Sequence, residues 1–419
     1  MAKFNYTYLI IGGGIIGSAI AFSLSNKCKD NKKKISIALL DIDLEGGFSS
    51  TLKNAGGVRA TWKNDANIQL CKYSIDFYEK IKEQIDFKQK GYYWLHNENS
   101  WEEINDNYSK YLDYGIEVEL YGKTEIQKIL PFVDNLDGVS GLSVSRKAGL
   151  LDHYSLREYF RKGAKENGVQ FVDRQFVTGA EKSGDSITNI LTNDLSVVVK
   201  NEGDEGIRKI LKGEKHFDTY DNEYGCEIMV NAGGAWAHQI SRHYGYIDKD
   251  IKPRRRQIEL ISCPELNISD FGMIIDTSDI YFHREGDLIL LGYSNPDEPY
   301  GVNFRFDYYG LEEKSPFIEQ IWKPLWKRIS KFERLKFIRG WAGIYGETPD
   351  KSGFMGKVEG LDNVYECAGH TGRGIMISYG LAEAFADMVV DGKIRDELAF
   401  ASDFQRDRPS GELQEQLHL

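Results

Sequence analysis

The pattern of apolar and polar positions along the chain predicts an arrangement of alternating strands and helices. Short apolar runs, typical of strands buried on both faces, alternate with segments whose apolar residues recur at helical spacing. The runs lie at residues 8–11, 35–40, 168–172, 228–231 and 363–368, and helical patterns follow at 65–85, 154–165 and 375–390. This rhythm predicts an α/β unit with a doubly wound, mostly parallel sheet.

A second pattern fills the remaining chain. Short strands joined by tight turns, at 257–261, 274–275, 280–283 and 288–293, together with an alternating aromatic strand at 90–96, predict an antiparallel sheet. A helix at 317–329 is expected to pack on that sheet. Residues 101–130 predict helices that end at Pro131, and the polar stretch 195–224 predicts a hairpin with a long exposed loop.

The length of 419 residues exceeds one ordinary hydrophobic core, so the two patterns indicate two domains. We predict a mixed α/β chain (α+β overall). Its discontinuous Rossmann-like domain comprises residues 1–84, 141–247 and 340–398. A substrate domain of 85–140 and 248–339 contains the antiparallel sheet, and a tail follows at 399–419.

The first apolar run leads directly into a glycine turn. Residues 12–17 read GGGIIG, which fits G-x-G-x-x-G with glycines at 12, 14 and 17, and Asp41 ends the second run. Such a turn binds the pyrophosphate of a dinucleotide at a helix N-terminus, and the acid binds a ribose. A glycine-rich hairpin and a membrane anchor are the alternatives. Residues 8–24 fall short of the roughly 20 apolar residues that a membrane span needs.

Composition narrows the classes of function. The net charge of −11 and the sequence pI near 5.4 predict no nucleic-acid partner. The five cysteines are scattered and form no C-x-x-C, so we expect a reducing compartment and no metal site. No signal-peptide pattern precedes the glycine turn. We expect a cytoplasmic protein without an integral membrane segment.

Four further motifs follow the glycine turn in order: SSTLKNAGGVR, VNAGGAWA, GWAGIYGETPD and AGHTGRG. Together with that turn they resemble flavoprotein amine oxidoreductases of the D-amino-acid oxidase type. These include glycine oxidase, sarcosine oxidase and dehydrogenase, and the β-subunit of dye-linked proline dehydrogenase. The resemblance covers essentially the whole chain. It implies FAD as cofactor, a fold of the glutathione-reductase type, and hydride removal from a carbon that bears an amine.

The resemblance also implies which residues contact FAD. The pyrophosphate and adenosine would be held by Gly12, Gly14, Ile15, Ile16, Gly17, Asp41, Ile42 and Val177. The phosphate and flavin side would be lined by Ser49, Ser50, Thr51, Asn54, Ala55, Gly56 and Gly57. The remaining contacts, with those around the isoalloxazine, would come from Ala232, Gly233, Trp236, Gly343, Tyr345, Gly369, His370, Thr371, Gly372, Arg373, Gly374 and Ile375.

Some positions depart from these relatives. Gly343 stands where monomeric sarcosine oxidase has the cysteine bonded to its flavin, so we expect non-covalent FAD. Leu290 replaces the oxygen-reactive lysine of that enzyme, which favours a dehydrogenase over an oxidase. Tyr345 and Met376 replace cations that hold the substrate carboxylate in glycine oxidase and monomeric sarcosine oxidase, respectively. Arg59 alone keeps a matching cation.

The candidate catalytic residues are Arg59, His370, Tyr281 and Tyr345. Arg59 would clamp a carboxylate through its bidentate guanidinium, or merely pin its own loop. His370 would polarise the flavin or the substrate, or simply bond to backbone. The two tyrosines would line a substrate pocket, or serve only in packing.

We therefore predict an FAD-dependent oxidoreductase acting on the C–N bond of a small amino acid or N-alkyl amino acid. Sarcosine, proline, glycine and D-amino acids are examples of such substrates. The alternatives are an FAD-dependent dehydrogenase of 2-hydroxy acids or glycerol phosphate, and a non-catalytic flavoprotein assembly factor. The electron acceptor (a dye-like carrier, a quinone or O₂) stays open, as does a homo-oligomer or a partner subunit.

Overall fold

A computed structural model describes residues 2–32, 35–246, 251–306, 315–406, 408 and 413–415. The strands in these ranges are β1 (Ala2–Ile11), β2 (Ile37–Leu40), β3 (Gly57–Val58), β4 (Tyr92–His96), β5 (Glu119–Gly122), β6 (Gly141–Ser145), β7 (Gly149–Leu150), β8 (Gln170–Val172), β9 (Gln175–Ser183), β10 (Ser186–Asp194), β11 (Asn222–Asn231), β12 (Lys252–Ser262), β13 (Met273–Ile275), β14 (Ile280–Glu285), β15 (Leu288–Tyr293), β16 (Lys336–Glu347), β17 (Phe354–Lys357) and β18 (Val364–Ala368).

The α-helices in the same ranges are α1 (Ile15–Asp30), α2 (Asp65–Lys80), α3 (Glu98–Asp106), α4 (Tyr108–Asp113), α5 (Ile126–Ile129), α6 (His153–Glu166), α7 (Ser196–Leu211), α8 (Ala237–His243), α9 (Lys323–Arg328) and α10 (Gly374–Asp391). Short 3-10 turns lie at Ser50–Lys53, Lys123–Glu125, Gly234–Trp236, Ser330–Arg334 and Asp396–Phe404, and a π-helical turn at Phe317–Trp322 precedes α9. Within the described residues, no helix is both long and apolar enough to cross a bilayer.

The first sheet has the order β17-β18-β11-β1-β2-β8, and the strands from β18 through β8 run parallel. β10 pairs antiparallel with β11, and β9 pairs with β10. Successive residues of β1 point to opposite faces, as the pleat of a strand requires. Tyr8 and Ile10 pack in the cluster that contains α1, α2, α6 and α10, whereas Leu9 and Ile11 pack on the opposite face with Val177. The sheet is therefore buried on both faces, as its apolar runs predict.

The second sheet has the order β16-β12-β15-β14-β13-β4-β6-β5. Its described pairings are antiparallel except for that between β13 and β4. One face packs against Phe317 and Leu325 of the π-turn and α9. The other face carries Tyr92 and Tyr281 and contacts Ala55, which precedes β3. The predicted antiparallel sheet, its strand near Tyr93 and its packed helix are confirmed.

The prediction for residues 195–224 is wrong: α7 occupies the first half of this stretch instead of a hairpin loop, and β11 begins at Asn222. Val198, Ile207 and Leu211 are buried with Phe48, so the segment has an apolar helical face. Gly203 adopts φ 58° and interrupts the helix. This break splits the apolar repeat into two short pieces, which hides the helical period. A short strand, β5, also interrupts the helices predicted at 101–130.

The two large sheets are formed by different parts of the chain. β6 pairs with β4 and β5, and the whole of β16 pairs with β12. We propose that the second domain includes β6 and extends to Glu347.

A buried carboxylate ties the C-terminal region to the first sheet. Glu366, in β18, is 0% exposed. Its Oε1 accepts hydrogen bonds from the hydroxyls of Ser241 (2.5 Å) and Tyr244, and its Oε2 accepts one from Arg406 Nε at 2.5 Å. The chain segments that carry these donors are far apart in sequence, so this one side chain joins them.

We expect Glu366→Ala to lower the free energy of unfolding by about 3–5 kcal/mol, because it removes the acceptor of several buried donors, one of them charged. Urea denaturation measures the change. Glu359→Ala, at an exposed position in the turn before β18, is the control and should stay within about 0.5 kcal/mol of the parent. Equal stability of the two variants would contradict this account.

Candidate functional site

A cavity of about 640 Å³ lies at the carboxyl ends of the central parallel strands. Each strand contributes the residues that follow it: Gly12 after β1, Asp41 after β2, Ala232 after β11 and Gly369 after β18. Doubly wound sheets bind their ligands at this edge, and the volume lies in the range of small-molecule sites.

The glycine turn brings three stretches of backbone together. Gly12 has φ 108°, and a methyl group there would lie 2.3 Å from the carbonyl oxygen of Ala232. A methyl group at Gly17 would lie 1.8 Å from the carbonyl oxygen of Gly12. Both positions therefore require glycine if the turn is to keep this geometry.

The N-terminus of α1 opens into the cavity. Its N-cap is Gly14, which has no side chain to accept from the first-turn amides, and the first turn contains no acidic residue. Thr51 Oγ1 accepts a hydrogen bond from Ile15 N at 2.9 Å. The other amides of the turn and the positive end of the helix dipole suit an anionic group such as a pyrophosphate.

Asp41 fastens the glycine turn to the end of β2. Its carboxylate accepts hydrogen bonds from the backbone N–H groups of Gly13 and of Asp43, the latter at 2.7 Å. Burial is the main influence on the pKa of Asp41 and raises it, while the two backbone donors oppose that rise. The carboxylate thus lines the cavity while it also shapes the turn.

The loop after β2 forms a second wall. Ser49, Ser50, Thr51 and Asn54 line the cavity. The Ser50 hydroxyl donates to the carbonyl of Ile344 in β16, so this loop is tied to the second sheet.

The loop between β18 and α10 forms the opposite wall, and residues 369–372 with Gly374 and Ile375 line it. His370 is buried, its Nε2 is 3.7 Å from Cys367 Sγ, and its Nδ1 has no hydrogen-bond partner among the described residues. Burial, and secondarily the nearby Arg373, lowers the pKa of His370 to about 3. The imidazole is therefore neutral near pH 7.

The four candidate catalytic residues do not all reach this cavity. Tyr345 and His370 line it, and the Tyr345 ring lies against Gly372. Tyr281 lies outside the lining, on the face of β14 that packs with Tyr92. Burial raises the pKa of both Tyr281 and Tyr345, so both phenols are neutral near pH 7.

Arg59 is 2% exposed and lies on the side of the second sheet. Its guanidinium carbon is 3.6 Å from the ring centroid of Trp62 and 4.8 Å from that of Trp94. It donates a hydrogen bond to the carbonyl of Thr61, while its Nε has no acceptor among the described residues. Burial lowers the pKa of Arg59, but its ordinary value is so high that it stays cationic.

Most of the expected cofactor residues line the cavity. Six of the expected residues do not line it. Gly17 packs on Gly12, while Gly343 approaches the Cβ of Lys53. The rest are Ala55, Gly56, Gly57 and Arg373.

The residues predicted from the sequence do not include those that line one end of the cavity. Its lining comes from α7 and the loop after it, from β9, from α8 and from the loop before Ser49, namely Phe48, Gln175, Phe176, Thr178, Ile210, Leu211, Lys212, Gly213, Lys215, His216, Phe217, Gln239, Ile240, Arg242 and His243. The apolar face of α7 is the sequence signal for this helix, but the break at Gly203 divides that face into two short pieces. The lysines and the histidine after it carry no periodic signal.

Comparison with known proteins agrees with this architecture. The sequence model of the family described as "FAD dependent oxidoreductase" (DAO) matches residues 7–388. The chain is 26% identical over 420 residues to FAD-dependent oxidoreductase domain-containing protein 1 of Xenopus laevis, which covers 92% of this chain and 79% of the relative.

Two solved structures share the fold. L-proline dehydrogenase from P. horikoshii has a TM-score of 0.77 at 22% identity, with 97% of this chain and 100% of that one covered. Glycine oxidase from Geobacillus kaustophilus has a TM-score of 0.73 at 18% identity, with the same coverage of 97% and 100%.

The residues present fit FAD. The N-termini of α1 and α10 both lack side-chain caps and first-turn acids, and both border the cavity. The glycine turn leaves the helix N-terminus open to an anion such as a pyrophosphate, and Asp41 lines the same cavity. From this geometry and the match to residues 7–388, the chain belongs to the FAD dependent oxidoreductase family, DAO, and depends on FAD.

Proposed function

We propose that this FAD-dependent oxidoreductase is a dehydrogenase that acts on the C–N bond of a small amino acid or N-alkyl amino acid. The observation that carries the substrate class is Arg59, a buried cation whose Nε lacks an acceptor among the described residues. Buried charged donors need a partner, and a substrate carboxylate would supply one.

FAD, when bound, supplies the hydride acceptor. The residues of the protein bind the cofactor and orient the substrate. The glycine turn and the start of α1 would hold the pyrophosphate, and the start of α10 would supply positive potential that stabilises negative charge on the reduced flavin. The buried aromatic face of the second sheet, with Tyr92 and Tyr281, excludes water from the substrate side. No dedicated base is required if the amine enters deprotonated, and the product imine would hydrolyse to a carbonyl compound and an amine.

Non-covalent attachment of FAD is part of the proposal. Gly343 offers no thiol, and its Cβ position is 2.8 Å from the Cβ of Lys53, so β16 passes close to the loop at this point. Cys367 does line the cavity, but burial raises the pKa of its thiol well above the usual value. Since the thiolate is the reactive form, this supports a cysteine that stays unattached.

The preference for a dehydrogenase rests on Leu290. This side chain is 4% exposed and packs with Ile258 and Leu260 on the face of the second sheet nearest the FAD-binding unit. An apolar contact there supplies no positive charge to assist electron transfer to oxygen. The electron acceptor is therefore proposed to be a carrier other than O₂.

The cysteines bear on where the protein is located. All five cysteines are free thiols, which supports a reducing compartment, and we propose the cytoplasm. That the protein forms a homo-oligomer or binds a partner subunit stays a prediction.

Anaerobic titration of the purified holoprotein tests the substrate class. We expect sarcosine, proline, glycine or a D-amino acid to bleach the oxidised flavin band, because a neutral amine donates a hydride directly. Admission of air should restore the band slowly, and an artificial dye should restore it quickly. Absorbance spectra and stopped-flow traces record both steps.

Each other outcome of that titration selects a different function. Bleaching only by 2-hydroxy acids or glycerol phosphate would favour the C–OH dehydrogenase. A bound flavin that no amine or hydroxy acid reduces would favour the assembly factor. Rapid recovery in air would contradict the dehydrogenase assignment.

Arg59→Gln should raise the substrate concentration for half-reduction of the flavin about 10- to 100-fold, because the carboxylate loses a charge-assisted partner. The comparison is made with the amine that reduces the parent protein. Arg339→Gln, at an exposed position of β16, is the matched control and should leave that concentration unchanged. A similar value for both variants would exclude Arg59 as the carboxylate clamp.

A further inference from the structure

The residues 413–415 form a short strap whose last side chain is buried. Glu415 is 1% exposed. Its Oε1 accepts a hydrogen bond from the backbone N–H of Lys63 at 3.0 Å, and its Oε2 accepts from the backbone N–H of Asn64 at 3.3 Å and from Asn67 Nδ2 at 2.9 Å. Asn64 is the N-cap of α2 but makes no side-chain cap. A carboxylate from the far end of the chain therefore accepts at this helix N-terminus.

A buried cation faces the same carboxylate. Arg373 is 0% exposed, and its Nη1 lies 3.8 Å from Glu415 Oε2. It donates to the carbonyl of Lys351, and its Nε has no acceptor among the described residues. Burial lowers the pKa of Arg373, and Glu415 is the foremost group that opposes this shift. Glu415 thus provides the counter-charge that a buried guanidinium requires.

The strap also binds the loop at residues 348–353 through its backbone. Glu415 N donates to the carbonyl of Asp350 at 2.9 Å, and the Ser352 hydroxyl donates to the carbonyl of Leu413. Asn67 Nδ2 donates to Ser352 Oγ at 3.1 Å, so the same amide contacts both the carboxylate and this loop.

This loop touches the cavity wall. A methyl group at Gly353 would lie 2.3 Å from His370 Nδ1, so the loop packs directly on the histidine that lines the cavity. Thr348 Oγ1 donates to Asp350 Oδ1 at 2.9 Å and accepts from Gly353 N at 3.1 Å, which makes the loop a closed unit. A displacement of the strap would therefore reach residues 369–374 through two sets of contacts, the loop and Arg373.

We propose that Glu415 is a positioning residue: it is the built-in ligand of a carboxylate site formed by Arg373, Asn67 and the start of α2. Its docking holds residues 369–374 in the conformation that receives FAD. The site suits a carboxylate because two backbone N–H groups and the side-chain amides of Asn64 and Asn67 donate to its two oxygens. The Arg373 guanidinium, 3.8 Å away, supplies the counter-charge. The inference depends on FAD binding and not on the identity of the substrate.

The test is the dissociation constant of FAD, measured by fluorescence titration of the apoprotein. Glu415→Ala should raise it about tenfold, because Arg373 is left without its counter-charge and the loop relaxes. Sodium acetate places a free carboxylate in the vacated site and should restore the parent value. Sodium chloride at the same concentration should not. Glu415→Gln should weaken FAD binding as well, but acetate should not rescue it because the amide fills the site.

Gln414→Ala is the matched control, since the side chain is exposed one residue away, and it should bind FAD like the parent. If Glu415→Ala does not fold, Glu415→Gln and Asn67→Ala replace it in the titration. Unchanged affinity in the Glu415 variants would overturn the proposal. So would a loss in Glu415→Ala that acetate restores no better than chloride, because the side chain would then act only through packing.

Discussion

The structure depends on the close approach of three backbones at Gly12. The carbonyl of Ala232 occupies the space where any side chain at Gly12 would go, and the carbonyl of Gly12 does the same to Gly17. This contact sets β1, β11 and α1 at the spacing that leaves the first amides of α1 open to the cavity. Asp41 then fixes the turn by accepting from Gly13 N. The proposed anion site is thus formed by backbone geometry, without a cationic side chain from the glycine turn.

The second organising feature is the way buried charges join distant parts of the chain. Glu366 links β18 to α8 and to Arg406, and Glu415 links the C-terminal strap to α2 and Arg373. Burial of an ion without partners is costly, so each of these groups restricts the segments that can satisfy it. The C-terminal region therefore helps to hold the loop at residues 369–374, which borders the cavity, instead of serving only as a surface tail.

The local pattern of the sequence predicts the elements that repeat regularly. Runs such as residues 8–11 and 35–40 mark strands buried on both faces, and glycine spacing marks the turn, because both signals are contained in a few adjacent residues. The helix α7 is not predicted because Gly203 interrupts the helical period of its apolar residues. The sequence also does not predict that α8 and the loop after α7 line the cavity. That contribution depends on where tertiary packing places their polar residues.

The direction in which a loop side chain points also cannot be predicted from the sequence pattern. Arg373 stands among glycines of the cofactor loop, yet its guanidinium lies in the buried cluster with Trp62 and Glu415. The partner Glu415 is distant in sequence, so no spacing rule connects the two. Arg59 shows the same limit: the resemblance predicts a carboxylate-binding cation at this position, whereas its contacts with the rings of Trp62 and Trp94 follow only from the fold.

We propose that the open N-terminus of α1 at the glycine turn holds the pyrophosphate of FAD. The most direct measurement is an FAD titration of the apoprotein beside Gly14→Glu. Gly14 has φ −66°, which a glutamate can adopt, and its Cβ would lie 3.3 Å from Thr51 Oγ1, which must shift slightly. We expect the glutamate carboxylate to compete with an anion at the open helix N-terminus. We expect one FAD per parent chain, released by acid denaturation, and binding at least about tenfold weaker in the variant. Equal affinity in the two proteins, or no flavin binding by the parent, would contradict it.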